Sequence, residues 1–266
     1  MPRRARSKER SRLTPAAQTT ASSDGPETTD LKWNFGVKLV ERMFITLGMS
    51  MISATTILPH LVSELTSSRV VVGLVPAIFV VGTMVPQLLT ANYTETLRHK
   101  RRFISGWAML GGRLPYLLMA VLIWQIAASQ PSLALVSILL LIAVAALSNG
   151  IVIPAWLDMI AKVIPQRLRG LFFGIGNGMG ALMGVVGGII AGRILDSYPF
   201  PANFALCFAL AFVAQTVSWI GVSSTREPPS RNPKEPVPFQ VYLKRLPRVL
   251  RDNPNYARYL ISRSVA

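Results

Sequence analysis

The sequence predicts an all-α membrane protein, a six-transmembrane-helix bundle of inverted 3+3 repeats, and three observations carry that prediction. Of 266 residues, 51% are apolar or aromatic and only 15% are charged, against roughly 25% charged in a soluble domain. The mean hydropathy is +0.42 although both ends of the chain are polar, so the apolar residues are concentrated between them. The formal net charge is +16, yet Lys and Arg fall between long apolar runs. That placement reads as membrane topology, with the lipid bilayer as the partner and no role for nucleic acid.

Residues 1–34 form a basic tail. Arg3, Arg4, Arg6, Lys8, Arg10 and Arg12 precede a Ser/Thr/Ala/Pro stretch with no apolar run, which predicts disorder. A secretory signal would place an apolar core directly after the basic residues. An Arg- and Ser-rich organellar transit peptide is the alternative for this stretch.

Residues 35–223 are the bundle. A hydrocarbon core about 30 Å thick needs about 20 apolar helical residues, and six runs meet this: 38–62, 69–92, 103–127, 132–157, 169–194 and 202–223. Pro59, Pro76, Pro86, Pro115 and Pro154 lie inside them, and membrane helices tolerate such residues because neighbouring helices satisfy the freed backbone groups. The tail, the loop with Arg98, Lys100, Arg101 and Arg102, the loop with Lys162, Arg167 and Arg169, and the segment after the sixth run are basic, whereas the alternate loops are nearly bare. The positive-inside rule then puts both ends of the bundle's chain in the cytoplasm, in a multi-pass protein of the plasma membrane.

Residues 224–254 read as a Pro-rich cytoplasmic linker with a short basic amphipathic helix, since Phe239, Tyr242, Leu243, Leu246 and Leu250 recur at helical spacing. A solvated connector is the alternative. Residues 255–266 open a seventh apolar run that is too short to span, so the chain is expected to be a fragment lacking a C-terminal half.

Two echoes relate the halves of the bundle. Ser53 precedes Pro59 in the first run as Ser148 precedes Pro154 in the fourth, and Gly73-Leu74 opens the second run as Gly170-Leu171 opens the fifth. Matching features at opposite ends of the first and fourth runs are what an inverted repeat predicts, a pattern found in transporters. In the fifth run Gly176, Gly180, Gly184, Gly188 and Gly192 recur every four residues and predict a face without side chains for close helix packing.

Chemistry that would mark an enzyme is missing from the sequence. One cysteine, Cys207, and two histidines, His60 and His99, provide neither a disulfide framework nor a zinc set. HExxH, GxSxG and Walker motifs are absent as well, so no catalytic residue, metal or other cofactor is expected.

The loop Ala91-Asn92-Tyr93-Thr94-Glu95-Thr96-Leu97-Arg98-His99-Lys100-Arg101-Arg102 resembles the signature loop of the major facilitator superfamily, with Glu95 at the acidic position and Ala91 and Arg98 in place of its glycines. The stretch Ala155-Trp156-Leu157-Asp158, then Pro165 to Gly170 and the Gly-rich run, is similar to that family's fourth loop and fifth helix. The resemblance implies half of a twelve-helix fold and secondary-active transport of a small solute by alternating access, with or without a coupling ion. It also implies a cytoplasmic gate formed by Glu95, Lys100, Arg101, Asp158 and Arg169. The polar residues at membrane depth, Arg113, Gln87, Ser53, Asn149, Asn177 and Gln215, are candidates for the substrate cavity, the alternative being bonds that link helices. Arg113, about 15 Å into the third run by helix rise, is expected to face the first or fourth helix. Competing readings are the membrane domain of an ATP-driven exporter, whose helices extend beyond the bilayer, and a channel or scaffold.

Overall fold

The first and third of the expected spans are each broken into two helices. The computed structural model describes residues 28–229 and Ser262, and holds eight helices among the described residues: α1 (Thr28–Met51), α2 (Ile57–Leu65), α3 (Arg69–Glu95), α4 (Lys100–Leu110), α5 (Leu114–Ile126), α6 (Pro131–Val163), α7 (Gln166–Ser197) and α8 (Ala202–Ser223). Helices α1 and α2 make the first span, α4 and α5 the third, and α3, α6, α7 and α8 one each. At the first break the Ser53 carbonyl accepts the N–H groups of Thr56 (3.4 Å) and Leu58 (2.9 Å). Pro59 falls in the first turn of α2, where no helical N–H is needed. At the second break Pro115 cannot donate to Gly111 four residues back, and the chain turns through Gly111-Gly112-Arg113 before α5 resumes.

Among the described residues, five helical stretches are long and apolar enough to cross a membrane: α3, α4–α5, α6, α7 and α8. The α1–α2 span, counted with them from sequence, is not apolar enough because α1 carries Lys32, Lys38, Glu41 and Arg42. Lys38 and Glu41 are buried, so α1 turns charge toward its neighbours rather than toward lipid. Helix α1 also begins at Thr28, inside the stretch expected to be tail. The expected amphipathic helix, the rest of the basic tail and all of the seventh run but Ser262 lie outside the described residues.

The main pairings among helices map onto themselves when the first three spans are exchanged with the last three. Helix α3 packs on α6 as α7 packs on α1; α1 packs on α8 as α6 packs on α4 and α5; α5 and α8 meet at the centre. This is the arrangement an inverted repeat requires. Glycines allow close crossings. A Cβ on Gly150 of α6 would stand 2.5 Å from the Thr83 carbonyl and 3.0 Å from that of Gly82, and one on Gly82 would stand 2.7 Å from Ala146. Pro86 leaves the Gly82 carbonyl without its helical donor, and α6 approaches there.

The α7–α1 crossing uses only part of the expected glycine face. Gly176 meets Leu39 and Arg42, Gly180 and Gly184 meet Thr46, and Gly187 meets Ser50 and the Leu47 carbonyl, but Gly188 and Gly192 have nothing within 4 Å of an added Cβ. The reason is the helical period: at 3.6 residues per turn, a four-residue repeat drifts about 40° per step. The contact therefore passes from Gly180 to Gly187 and buried Ala191, following α1 through Arg42, Thr46 and Ser50.

Candidate functional site

Lys100, Arg101, Asp158, Lys162 and Glu227 gather at one end of the bundle, where α4 begins, α6 ends and the chain leaves α8. This is the basic end. Glu227, just past α8, accepts the Lys100 N–H on Oε1 (3.1 Å) and the Arg101 N–H on Oε2 (2.7 Å), so its carboxylate caps the start of α4. Lys162, in the last turn of α6, pairs with Glu227 Oε1 at 2.8 Å. Burial works to raise the Glu227 carboxyl, but the Lys162 hydrogen bond and the two backbone N–H groups outweigh it and hold the group below its ordinary range.

Two further contacts extend the cluster. Lys100 pairs with Asp158 of α6, and the charge of Glu95 acts on the same lysine. Arg101 donates to the Thr225 carbonyl at 3.1 Å, while the Thr225 hydroxyl donates to the Gly221 carbonyl at 3.1 Å.

The same short segment clasps α1. Buried Asn34 accepts the Arg226 N–H at 2.9 Å and donates to the Arg226 carbonyl at 3.0 Å. Trp33 donates its indole N–H to the Ser224 carbonyl at 2.9 Å. The Arg226 guanidinium lies 5.2 Å from the centre of the Trp33 ring and pairs with Asp30 at 2.9 Å. Residues 224–227 thus tie together the ends of α1, α4, α6 and α8.

Of the expected gate residues, Glu95, Lys100, Arg101 and Asp158 belong to this cluster, and Arg169 does not. Arg169 donates to the Ile164 carbonyl (3.1 Å) and the Ala161 carbonyl (2.7 Å), satisfying the C-terminal turn of α6. Lys162, which was not among the expected residues, joins the cluster through Glu227. Glu227 and Asn34 escaped the sequence reading because one lies in an apparent linker and the other in an apparent tail. The acidic residue before Pro228-Pro229, immediately after a span, was the available signal.

The substrate-cavity candidates are scattered. Buried Arg113 sits at the α4–α5 break and donates to the Ala108 carbonyl (3.0 Å) and the Gln215 carbonyl of α8 (3.4 Å). The Gly112 N–H has gone to Trp107, so Arg113 supplies the donor that Ala108 would otherwise take from the helix. Arg113 faces the protein interior, but these bonds correct the expectation that it turns to the first or fourth helix: it turns to the sixth span.

Gln215 is buried with its amide nitrogen 3.9 Å from the Met49 sulfur. Gln87 donates to Thr83 of its own helix (2.9 Å), Ser53 shares a hydrogen bond with Thr55 (3.2 Å), and Asn149 is half-buried on α6. Asn177 accepts a 2.6 Å hydrogen bond from Arg42 across the α1–α7 crossing, on an open face.

A family model described as Major Facilitator Superfamily matches residues 42–263. No curated protein and no solved structure matches the chain.

Proposed function

The chain belongs to the Major Facilitator Superfamily and is a membrane transporter of small solutes; from that premise we propose that it works by secondary-active alternating access, with the basic end in the cytoplasm of a plasma membrane. The work is binding and conformational, without covalent chemistry. The observation that supports this reading is an asymmetry in the bundle. Residues 224–227 hold the ends of α1, α4, α6 and α8 as one body, whereas the most apolar windows of α3 and α7 are only 17% and 22% buried, against 50% for α8. Exposed Val85, Leu88 and Leu89 on α3, and Leu182, Val185 and Ile189 on α7, present apolar surface. In alternating access a rigid unit rocks against a second one, and these faces are the seat we assign to that second six-helix unit.

On this reading Arg42 and Asn177 are the polar pair closest to the solute path, and Gln87, Ser53 and Asn149 are secondary contacts. Arg113 and Gln215 hold the bundle together. The Glu95, Lys100, Arg101, Asp158 and Glu227 cluster steadies the cytoplasmic gate. The test is uptake by proteoliposomes against a panel of labelled anionic, neutral and cationic small solutes. A carrier gives saturable, counterflow-competent uptake that N177A slows; single-channel current steps would overturn it. Reporter fusions after Pro131 and after Arg231 should report opposite sides, with the second cytoplasmic.

A further inference from the structure

Two cavities meet at Arg101 and Arg102, and they differ in chemistry. The first, about 550 Å³, opens at the basic end and is also lined by His99, Arg226, Asp30 and Glu227. The second, about 370 Å³, runs along α4 and α8 past Ser105, Gly106, Met109, Leu110 and Trp219.

The charges of the first cavity do not balance internally. Asp30 is taken by Arg226, and Glu227 by Lys162 and two backbone N–H groups. The Arg101 guanidinium bonds a neutral carbonyl, Thr225. Arg102 is exposed and has no ion pair among the described residues. Two guanidinium groups therefore remain for an external anion, and a phosphate is the group their planar donors fit.

The second cavity answers what else that anion carries. Beyond Arg101, Arg102, Ser105 and Ser223 its wall is apolar, built of Gly106, Met109, Leu110 and Trp219; Leu110 is 69% exposed, and nothing stands within 4 Å of a Cβ added to Gly106. The Trp219 ring is fixed by its N–H bond to the Ser105 carbonyl at 2.9 Å. From Arg101 to Leu110 the helix rises about 13 Å, close to the roughly 15 Å depth of one leaflet's hydrocarbon. A free phosphate would have no use for this groove.

We propose that the two cavities form one binding site for an anionic phospholipid of the leaflet at the basic end, its phosphate on Arg101 and Arg102 and one acyl chain along the α4–α8 groove. The site lies beside the cluster that ties residues 224–227 to α4, so an occupied site adds an anion next to Arg101 and bears on how firmly that cluster holds.

The experiment is native mass spectrometry of the full chain purified in detergent and titrated with phosphatidylglycerol or with phosphatidylcholine of the same acyl chains. Phosphatidylglycerol should be retained preferentially. R102Q should weaken its retention about five-fold, as expected for loss of one basic contact with an anionic lipid, and R102K should restore most of it. G106F, which fills the groove, should weaken both lipids. Arg98, exposed on the same end and outside both cavities, is the control, and R98Q should leave retention unchanged.

Equal retention of the two lipids would overturn the site, as would equal losses in R98Q and R102Q, which would indicate diffuse surface charge. Displacement of the lipid by inorganic phosphate or glycerophosphate at matched concentration would reassign the first cavity to a free anion, and unchanged retention in G106F would remove the acyl groove.

Discussion

Lys38 and Glu41, one turn apart on α1, form a 2.6 Å ion pair that is buried inside the bundle, and the other Glu41 oxygen accepts the Trp156 indole N–H of α6 at 2.6 Å. This pair explains how a span with charged residues is accommodated: each charge satisfies the other, and α6 supplies the remaining donor. It also ties the first span to the fourth, its counterpart in the repeat.

Removing one member of the pair strands the other. K38M should destabilise the protein by about 3–5 kcal/mol, or roughly 6–20 °C in melting temperature for a chain of this size. The double variant K38M/E41Q leaves neither charge of the pair stranded and should recover most of that loss, because the pair's desolvation cost disappears with it. Thermal unfolding of the two variants in detergent decides it; a double variant no more stable than K38M would show that the pair is not the source of the loss.

Glu227 makes an acid-sensitive contribution. Its carboxyl is held below the ordinary 4.5 in the folded protein, so the stability it supplies is fully present above the unfolded-state value and is lost as the pH falls through the lower folded-state value. Wild type should melt above E227Q at pH 7 by an amount that stays constant down to about pH 5 and narrows below about pH 4.5. Melting curves of both proteins from pH 7 to pH 3 test this, and a gap that widens on acidification would contradict it.

Apolar run length is a local property, and it located α3, α6, α7 and α8 within a few residues of their structural bounds. The breaks were not legible, because Pro59 and Pro115 look like Pro76, Pro86 and Pro154 in the sequence. Whether a proline interrupts a membrane helix depends on what its neighbours offer the freed carbonyl: Gly150 packs against Gly82 in α3, whereas at Pro115 the chain turns through two glycines. Lys100 and Asp158, which the structure pairs, were legible as candidates because they lie in the two loop stretches that resemble the family's pattern. Glu227 and Asn34 act through partners more than sixty positions away, which no local pattern encodes.

The drift of the glycine stripe separates two neighbouring positions. A Cβ on Gly187 would stand 2.7 Å from the Leu47 carbonyl, a backbone atom that has little room to yield, while Gly188 faces open space. G187A should therefore cost about 1–3 kcal/mol by overpacking, and G188A and G192A should be neutral or gain up to about 1 kcal/mol from helix propensity. The comparison is a melting series of the three variants. Equal losses in all three would mean that the whole four-residue stripe is packed.

Arg113 offers the sharpest separation between holding the bundle and touching the solute. Its two acceptors are carbonyls at the α4–α5 break and on α8, both inside the protein, so its loss leaves the Ala108 carbonyl without a donor and unlinks the third span from the sixth. A charged donor to a carbonyl contributes about 1.5–3 kcal/mol, partly offset in R113M by removal of a buried charge. R113M should therefore melt lower by several degrees. R113K should not rescue it fully, because one ammonium lacks the fork that reaches both Ala108 and Gln215. In the fraction that folds, the concentration dependence of solute uptake should be that of wild type, with only the maximal rate reduced. The opposite pattern, a wild-type melting temperature with half-saturation shifted ten-fold or more, would move Arg113 from the framework of the bundle into the solute path.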